Sequence, residues 1–199
     1  MNEIKLRTRS SEELTLRMEG LLVLKDILNK TLQKWFLTGG SLLGAVRDGD
    51  FIHWDWDVEV SVLAEEAVQK EGELLKNLIE AGFLIFSNDT SIENFKITLK
   101  GWGTEFEILG RYLNATKDLR TRNITKVPAY LFNEVETITL RGHDFPAPSP
   151  VNKYLEALYG DWKTPLKTGD KKKYYSKAAY KKDVKGFLDR VYKKILKIF

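Results

Sequence analysis

The 199-residue chain contains no cysteine and only two histidines, His53 and His143. The absence of cysteine excludes disulfides, thiolate catalysis and zinc ribbons, and it fits a reducing compartment. Two histidines are too few for a histidine-rich metal site. Zinc sites built from cysteine and histidine are therefore excluded as the basis of function.

Long apolar runs are also missing from the sequence. No stretch approaches the roughly 18 apolar residues that a membrane-spanning helix needs, and residues 1–13 lack the apolar core of a signal peptide. A cytoplasmic protein is therefore expected, with at most peripheral membrane contact. A hydrophobic content of 43% and an aromatic content of 12% are enough to bury a core.

Acidic residues are scarce at the C-terminus, where residues 163–199 hold 13 lysines and arginines against three acids. The rest of the chain is net acidic, although the whole carries +4. This asymmetry predicts a domain over residues 1–165 and a basic appendage over 166–199. The apolar spacing of residues 183–199 predicts an amphipathic helix, which either packs on the body or contacts an anionic membrane surface.

Hydrophobic periodicity predicts an α+β or α/β protein with a small mixed sheet flanked by helices. Ser10 and Glu13 form a capping-box pattern before a helix over residues 11–34. Residues 111–133 give no clear pattern and are expected to form a loop with a short helix. The other predicted helices cover residues 41–46, as one or two helical turns, 64–81 and 152–159. The predicted strands cover residues 35–38, 54–62, 83–87, 94–100, 104–110 and 135–140.

An alternating acidic run marks the predicted strand over residues 54–62. Asp55, Asp57 and Glu59 would share one face of that strand, with Trp56 and the following valines directed into the core. Three like charges on one face repel and destabilise a strand. A hard divalent cation such as Mg²⁺ or Mn²⁺ between them would remove that repulsion.

A Gly-Gly-Ser turn precedes the acidic run by about a dozen residues. Gly39 and Gly40 let the backbone approach a ligand closely, and amides at the start of a following helix can hold phosphate together with Ser41. Such a turn is often only a turn. Combined with the acidic strand, it predicts metal-assisted phosphoryl or nucleotidyl transfer.

The stretch GGSLLGAVRDGDFIHWDWDVEV, residues 39–60, resembles the signature of the LicD/fukutin-related family within the nucleotidyltransferase superfamily. The chain departs from that signature at two positions. His53 stands where proline is usual, and Glu59 stands where aspartate is usual. Glutamate is still an oxygen ligand, but its extra methylene changes its reach.

A second motif resembles the closing stretch of the same family and extends the likeness over residues 35–165. It comprises Phe145-Pro-Ala-Pro, Tyr154-Leu and Tyr159-Gly-Asp-Trp162. The resemblance implies a nucleotidyltransferase-like fold. It also implies transfer of phosphocholine or a polyol phosphate from a CDP-linked alcohol to a hydroxyl of a glycan.

The resemblance also implies site residues beyond the acidic strand. Superfamily members usually add a carboxylate from a later strand, for which Glu107 is the prediction and Glu105 the rival. Arg47 matches the family arginine and suits phosphate, although a structural ion pair is an equal alternative. Lys96 is a further phosphate candidate, with a solvated lysine as its alternative.

Several other residues have a functional and a structural interpretation. His53 could act as a base or ligand, but a polar surface residue is the better interpretation. Trp54 and Trp56 could stack on a base or sugar, but their alternation with the acids favours core packing. Tyr159 and Trp162 could contact ligand or only close the domain.

Two rival functions use the same sequence features. The first is transfer of NMP to a small molecule, protein or RNA by the same kind of site. The second is a catalytically degenerate protein whose basic tail binds nucleic acid or an anionic surface. An acidic groove without metal would repel phosphate, which argues against nucleic acid as a partner.

Overall fold

The computed structural model describes residues 7–168 and 170–180, and these form a mixed sheet flanked by helices. The predicted amphipathic helix over residues 183–199, and its predicted membrane contact, lie outside the described residues. The helices are α1 (Ser11–Thr31), α2 (Gly39–Asp48), α3 (Ala64–Gln69), α4 (Glu71–Glu80), α5 (Val151–Tyr159) and α6 (Lys171–Tyr174). The strands are β1 (Trp35–Leu37), β2 (Asp57–Leu63), β3 (Leu84–Asp89), β4 (Lys96–Gly101), β5 (Thr104–Leu113), β6 (Leu119–Arg122), β7 (Thr125–Pro128), β8 (Val135–Leu140) and β9 (His143–Pro148).

The main sheet has the strand order β1-β2-β5-β4-β3, with β6 and β7 extending from β5. Strand β2 runs parallel to β5, while the other pairings are antiparallel. Strands β8 and β9 form a separate hairpin. This arrangement confirms the predicted α+β class with a mixed sheet.

Helix α1 begins where the sequence predicts. The Ser10 hydroxyl accepts from the Glu13 amide, and the Glu13 carboxylate accepts from the Ser10 amide, which satisfies two otherwise unpaired donors. Its apolar side, including Leu21, Leu24 and Leu28, is fully buried against the body of the protein.

The structure corrects two of the predicted elements. The single helix over residues 64–81 divides at Lys70, because α3 packs on β2 and β5 whereas α4 packs on α1. Residues 111–133 are not mainly a loop: they contain the end of β5, the β6–β7 hairpin and a 3₁₀ helix over Ala129–Phe132. Asn123 begins the two-residue turn of that hairpin with a φ of 47°, a conformation that asparagine tolerates.

The segment after α5 returns to the body of the protein. The Ser176 amide donates to the Leu158 carbonyl at 2.9 Å, and the Lys126 amide donates to the Ala179 carbonyl at 2.9 Å. Within the described residues, no helix is both long enough and apolar enough to cross a membrane.

Gly110 of β5 provides a test of this packing. A Cβ at this position would lie 2.5 Å from Cβ of Phe95 and 3.2 Å from Cβ of Ala64, and neither atom can move without its backbone. Gly110→Ala is expected to lower the free energy of unfolding by about 1–3 kcal/mol through overpacking, measured by denaturant titration.

The matched control is Gly72→Ala on the exposed side of α4, where a Cβ would meet nothing within 4 Å. That change should raise the free energy of unfolding, by up to about 1 kcal/mol, because alanine favours a helix interior over glycine. Equal effects of the two substitutions would contradict the close packing at Gly110.

Candidate active site

The parallel pairing of β2 with β5 brings two acidic pairs together. Asp57 lies opposite Glu105, and Glu59 lies opposite Glu107, two residues further along both strands. Residues two apart on a strand share a face, so all four carboxylates stand on one side of the sheet. The alternation in the sequence therefore produces an acidic patch that spans two strands.

Three of these carboxylates converge closely enough to share one cation. Oxygen atoms of Asp57, Glu105 and Glu107 all lie within 4.8 Å of one another. From the sequence, Asp55, Asp57 and Glu59 are the predicted ligand group, and Glu105 is only a rival of Glu107. The register of β2 and β5 brings both glutamates to Asp57, a pairing across strands that a single sequence does not reveal.

Asp55 and Glu59 lie beside this group and pack against Gly39 and Gly40, which form the first turn of α2 in the structure. Strand β2 begins only at Asp57, so Asp55 belongs to the preceding loop and not to the strand, contrary to the sequence prediction. A Cβ on Gly40 would lie 1.8 Å from Oδ2 of Asp55, and one on Gly39 would lie 1.6 Å from Oε2 of Glu59. The glycine pair therefore makes room for two carboxylates.

Hydrogen bonds hold this turn against β2. The Gly40 amide donates to Oε2 of Glu59 at 3.0 Å, and the Glu59 amide donates to the Ser41 hydroxyl at 3.1 Å. Ser41 is buried, and its hydroxyl joins α2 to β2. Phosphate contacts by Gly39, Gly40 and Ser41 stay predictions, and Gly40 is the member of this trio that lines the cleft described below.

The acidic patch is electrostatically unfavourable without a cation. Burial, with a smaller contribution from the neighbouring Glu59, raises the pKa of Asp55 to about 7. Burial also raises the pKa of Asp57 well above its ordinary value, with added repulsion from Glu59, Asp55, Glu107 and Glu105. Positive charge placed among these oxygens would relieve both effects.

Cationic side chains stand on the rim of the same patch. Lys96 of β4 forms an ion pair with Glu107, and Nη2 of Arg122 lies 3.9 Å from Oε2 of the same glutamate. Arg122 is not predicted as a site residue from the sequence. The one signal nearby is Asn123, a typical hairpin residue, which could have placed Arg122 at the end of a strand. Arg47 lines the cleft but pairs with Asp48, with 2.6 Å between Nη2 and Oδ2.

A cleft of about 710 Å³ opens above the acidic patch. Trp54 and Trp56 are partly exposed and line it, so the prediction that they pack in the core is wrong. Trp56 leads into β2 from the preceding loop, which explains why the strand alternation does not bury it. A further wall of the cleft consists of residues from the end of α5 to α6 and beyond: Tyr159, Asp161, Trp162, Thr164, Pro165, Leu166, Thr168, Lys173, Tyr174 and Tyr175.

Three tyrosines of that wall contact one another. The rings of Tyr159 and Tyr175 are stacked with centroids 5.7 Å apart, and Tyr174 lies 4.6 Å from Tyr175. Burial raises the pKa of each hydroxyl above its ordinary value, and Glu59 adds to the effect. These hydroxyls therefore stay protonated near neutral pH and are available as hydrogen-bond donors.

His53 has the position expected of a surface residue. Its side chain is 52% exposed, and Nε2 lies 3.5 Å from Oδ2 of Asp50.

Comparison with known proteins places this site within one family. A family model described as LicD/FKTN/FKRP, nucleotidyltransferase domain matches residues 33–150, which is more than half of the chain. The chain belongs to this family. The family resemblance and the nucleotidyltransferase-like fold expected from the sequence are thereby confirmed.

Two curated relatives of this LicD-family chain carry the name ribitol 5-phosphate transferase FKRP. The Mus musculus protein is 26% identical over 143 residues, which cover 64% of this chain and 28% of that protein. The Homo sapiens protein is 52% identical over 33 residues, or 17% of this chain and 7% of that protein. The chain thus matches less than a third of either relative's length.

One solved structure shows a weak likeness to this LicD-family chain. A Thermotoga maritima structure, described as a candidate nucleotidyltransferase, shares 22% sequence identity and covers 69% of this chain and 82% of its own, with a TM-score of 0.42. A likeness at this level adds nothing to the family assignment.

The substitution Asp57→Asn tests the electrostatics of the acidic patch. The folded state raises the pKa of Asp57 and Asp55, so it binds more protons than the unfolded chain does. The free energy of unfolding therefore falls as the pH rises from about 4, the ordinary pKa of an aspartate, towards about 7, the pKa of Asp55 in the folded protein. At pH 8 without divalent ions, Asp57→Asn should raise the free energy of unfolding by about 1–2 kcal/mol, or roughly 2–8 °C in Tm.

The same comparison at pH 5 should show a smaller gain, because a carboxyl with a raised pKa carries less negative charge at the lower pH. Glu73→Gln serves as the control, since Glu73 is exposed and, among the described residues, forms its ion pair with Lys70 at the surface. A destabilised Asp57→Asn protein at pH 8 would contradict the repulsion described here. Thermal unfolding in a chelating buffer measures both effects.

Proposed function

We propose that this LicD-family chain is a metal-dependent transferase that moves a phospho-alcohol from a CDP-activated donor to a hydroxyl of a glycan or glycoconjugate. The observation that carries the proposal is the convergence of Asp57, Glu105 and Glu107 in a cleft with cationic and aromatic walls. Carboxylates that converge in this way suit a hard cation, while the cations and rings suit a phosphorylated, nucleotide-linked substrate.

The residues present fit Mg²⁺ or Mn²⁺. Asp57, Glu105 and Glu107 would hold the ion, since carboxylate oxygens are the ligands that hard divalent cations prefer. The raised pKa of Asp57 supports this fit, because burial and the neighbouring carboxylates that raise it are both offset by a bound cation. When bound, such an ion neutralises charge on phosphate oxygens and favours an attacking alkoxide.

The chain's own residues have separable roles in the proposed reaction. An acceptor hydroxyl attacks the phosphorus that carries the alcohol, a new P–O bond forms, and the bond to the CMP phosphate breaks. The hydroxyl proton passes to a carboxylate of the patch, for which Glu107 and Glu105 are the candidates. Lys96, Arg122 and Arg47 would contact the phosphates from the rim.

The choice of donor follows from the relatives' names. Both are named ribitol 5-phosphate transferases, so CDP-ribitol is the first donor to test, followed by CDP-choline and CDP-glycerol. The aromatic wall offers ring faces to the nucleoside part of such a donor.

The rival activity, NMP transfer, would use the same cleft. The family model's own description as a nucleotidyltransferase domain is the observation that favours it. The two activities differ in which phosphorus is attacked, so the mass added to the acceptor separates them.

Metal binding is tested by thermal unfolding at pH 8. Mg²⁺ or Mn²⁺ at 100 times its Kd should stabilise the wild-type protein by about 2.7 kcal/mol, because the ion binds only the folded state. The effect should disappear in Asp57→Asn and persist in Glu73→Gln. Equal stabilisation of all three proteins would indicate that the ion binds elsewhere.

Donor choice and reaction type are tested together. A thermal-shift panel with Mn²⁺ and CDP-ribitol, CDP-choline, CDP-glycerol, GDP-mannose or UDP-sugars should show stabilisation by a CDP-linked alcohol. Incubation of that donor with glycan acceptors should release CMP and add the phospho-alcohol, and Asp57→Asn should lower turnover by about 100-fold or more. An acceptor that gains the mass of an NMP would establish the rival activity instead.

A further inference from the structure

The loop that leads into β2 is held by an unusual set of hydrogen bonds. Residues 53–56 lie outside the strand ladder, yet four consecutive carbonyls have donors from other parts of the chain. The His53 and Trp54 carbonyls accept from the amide and guanidinium of Arg9, at 2.8 and 3.3 Å. Buried backbone carbonyls need such partners, and here α1 and the residues before it supply most of them.

Arg17 and Thr104 complete this set. Nη2 of Arg17 donates to the Asp55 carbonyl at 3.1 Å and to the Thr104 hydroxyl at 3.2 Å. The Thr104 hydroxyl in turn donates to the Trp56 carbonyl at 3.3 Å. A single guanidinium nitrogen thus connects the loop before β2 to the first residue of β5, the two strands that carry the acidic patch.

The burial of the Arg17 guanidinium costs more free energy than a role in packing alone would justify. It is only 2% exposed, and its Nε and Nη1 have no hydrogen-bond partner among the described residues. A buried charge without a full set of partners opposes folding, and an apolar side chain of similar length usually serves packing better. Its guanidinium also lies over the Phe51 ring, 5.4 Å from the centroid.

Arg17 lies in helix α1, outside the part of the chain that the family model matches. Helix α1 precedes residues 33–150, the span that the family model matches, so this contact comes from outside the matched domain. The helix nevertheless reaches the backbone of Asp55, two residues before Asp57.

We propose that Arg17 is a positioning residue of the site: it fixes the backbone of Asp55 directly and that of Trp56 through Thr104, and thereby orients the adjoining Asp57 for cation binding. Helix α1 is then part of the functional unit. The part of this inference that concerns the cation rests on the proposed function, whereas the part that concerns backbone order does not.

The test combines Mn²⁺ affinity with amide exchange in the purified full-length protein. Isothermal titration calorimetry should show that Arg17→Met raises the Kd for Mn²⁺ 10- to 100-fold, as expected for the loss of a residue that orients metal ligands. A role limited to charge would act in the opposite direction, because removing a cation behind the carboxylates strengthens cation binding. Unchanged or tighter binding would overturn the proposal.

Amide exchange without metal gives a second measurement. The Asp55 amide donates to the Ile52 carbonyl and the Trp56 amide to the Asp55 carboxylate, so both report on the order of this loop. Exchange should become at least about 10-fold faster at these amides in Arg17→Met. If wild-type protein binds no Mn²⁺, the proposed function fails, and the exchange result still decides the positioning role.

Two comparisons exclude a general packing effect. Arg111→Met removes another buried arginine that has an unpartnered Nη1, but it contacts Ser61 and Tyr154 instead of the loop, so neither measurement should change. Thr104→Val removes only the hydroxyl and should shift both measurements in the direction of Arg17→Met, with less than additive effect in the double variant.

If Arg17→Met does not fold, Thr104→Val and Arg17→Lys decide the question, and wild-type behaviour of both would overturn the proposal.

Discussion

Repulsion among carboxylates on two parallel strands is the constraint on which the rest of this structure depends. The register of β2 and β5 places Asp57 opposite Glu105 and Glu59 opposite Glu107, and burial prevents water from screening them. The surrounding elements each relieve part of that repulsion. Lys96 and Arg122 offset the negative charge of Glu107, and the Gly40 amide donates to Glu59. Asp57 has no such partner in the described hydrogen bonds and ion pairs, and its pKa is raised.

The glycine pair Gly39-Gly40 lies at the site, as the sequence predicts, but its surroundings differ from the predicted phosphate contact. The sequence places Gly39 and Gly40 beside the acidic run, and a close approach of the backbone to ligand phosphate is the natural expectation. In the structure the space of both missing Cβ atoms is filled by the carboxylates of Glu59 and Asp55. The requirement for glycine is therefore explained by the protein's own acids, whether or not a phosphate also contacts the turn.

Much of the fold and part of the site were accessible from the sequence, for physical reasons that differ from residue to residue. Helix α1 and strand β2 follow from periodicity and a capping box, which are local signals. Glu105 could not be separated from Glu107, because their meeting with Asp57 depends on the pairing of strands that lie almost fifty residues apart. Arg17 gave no signal at all, since a lone arginine on an amphipathic helix is expected to face solvent.

The aromatic wall of the cleft comes from a different stretch of chain. Residues 161–168 and 173–175 contribute to the lining of the cleft, between α5 and the contacts that Ser176 and Ala179 make with the body. Changes in the length or sequence of this segment alter the shape of the cleft without touching the register of β2 and β5. The fold therefore separates the segment that shapes what can enter the cleft from the paired strands that hold the carboxylates in register.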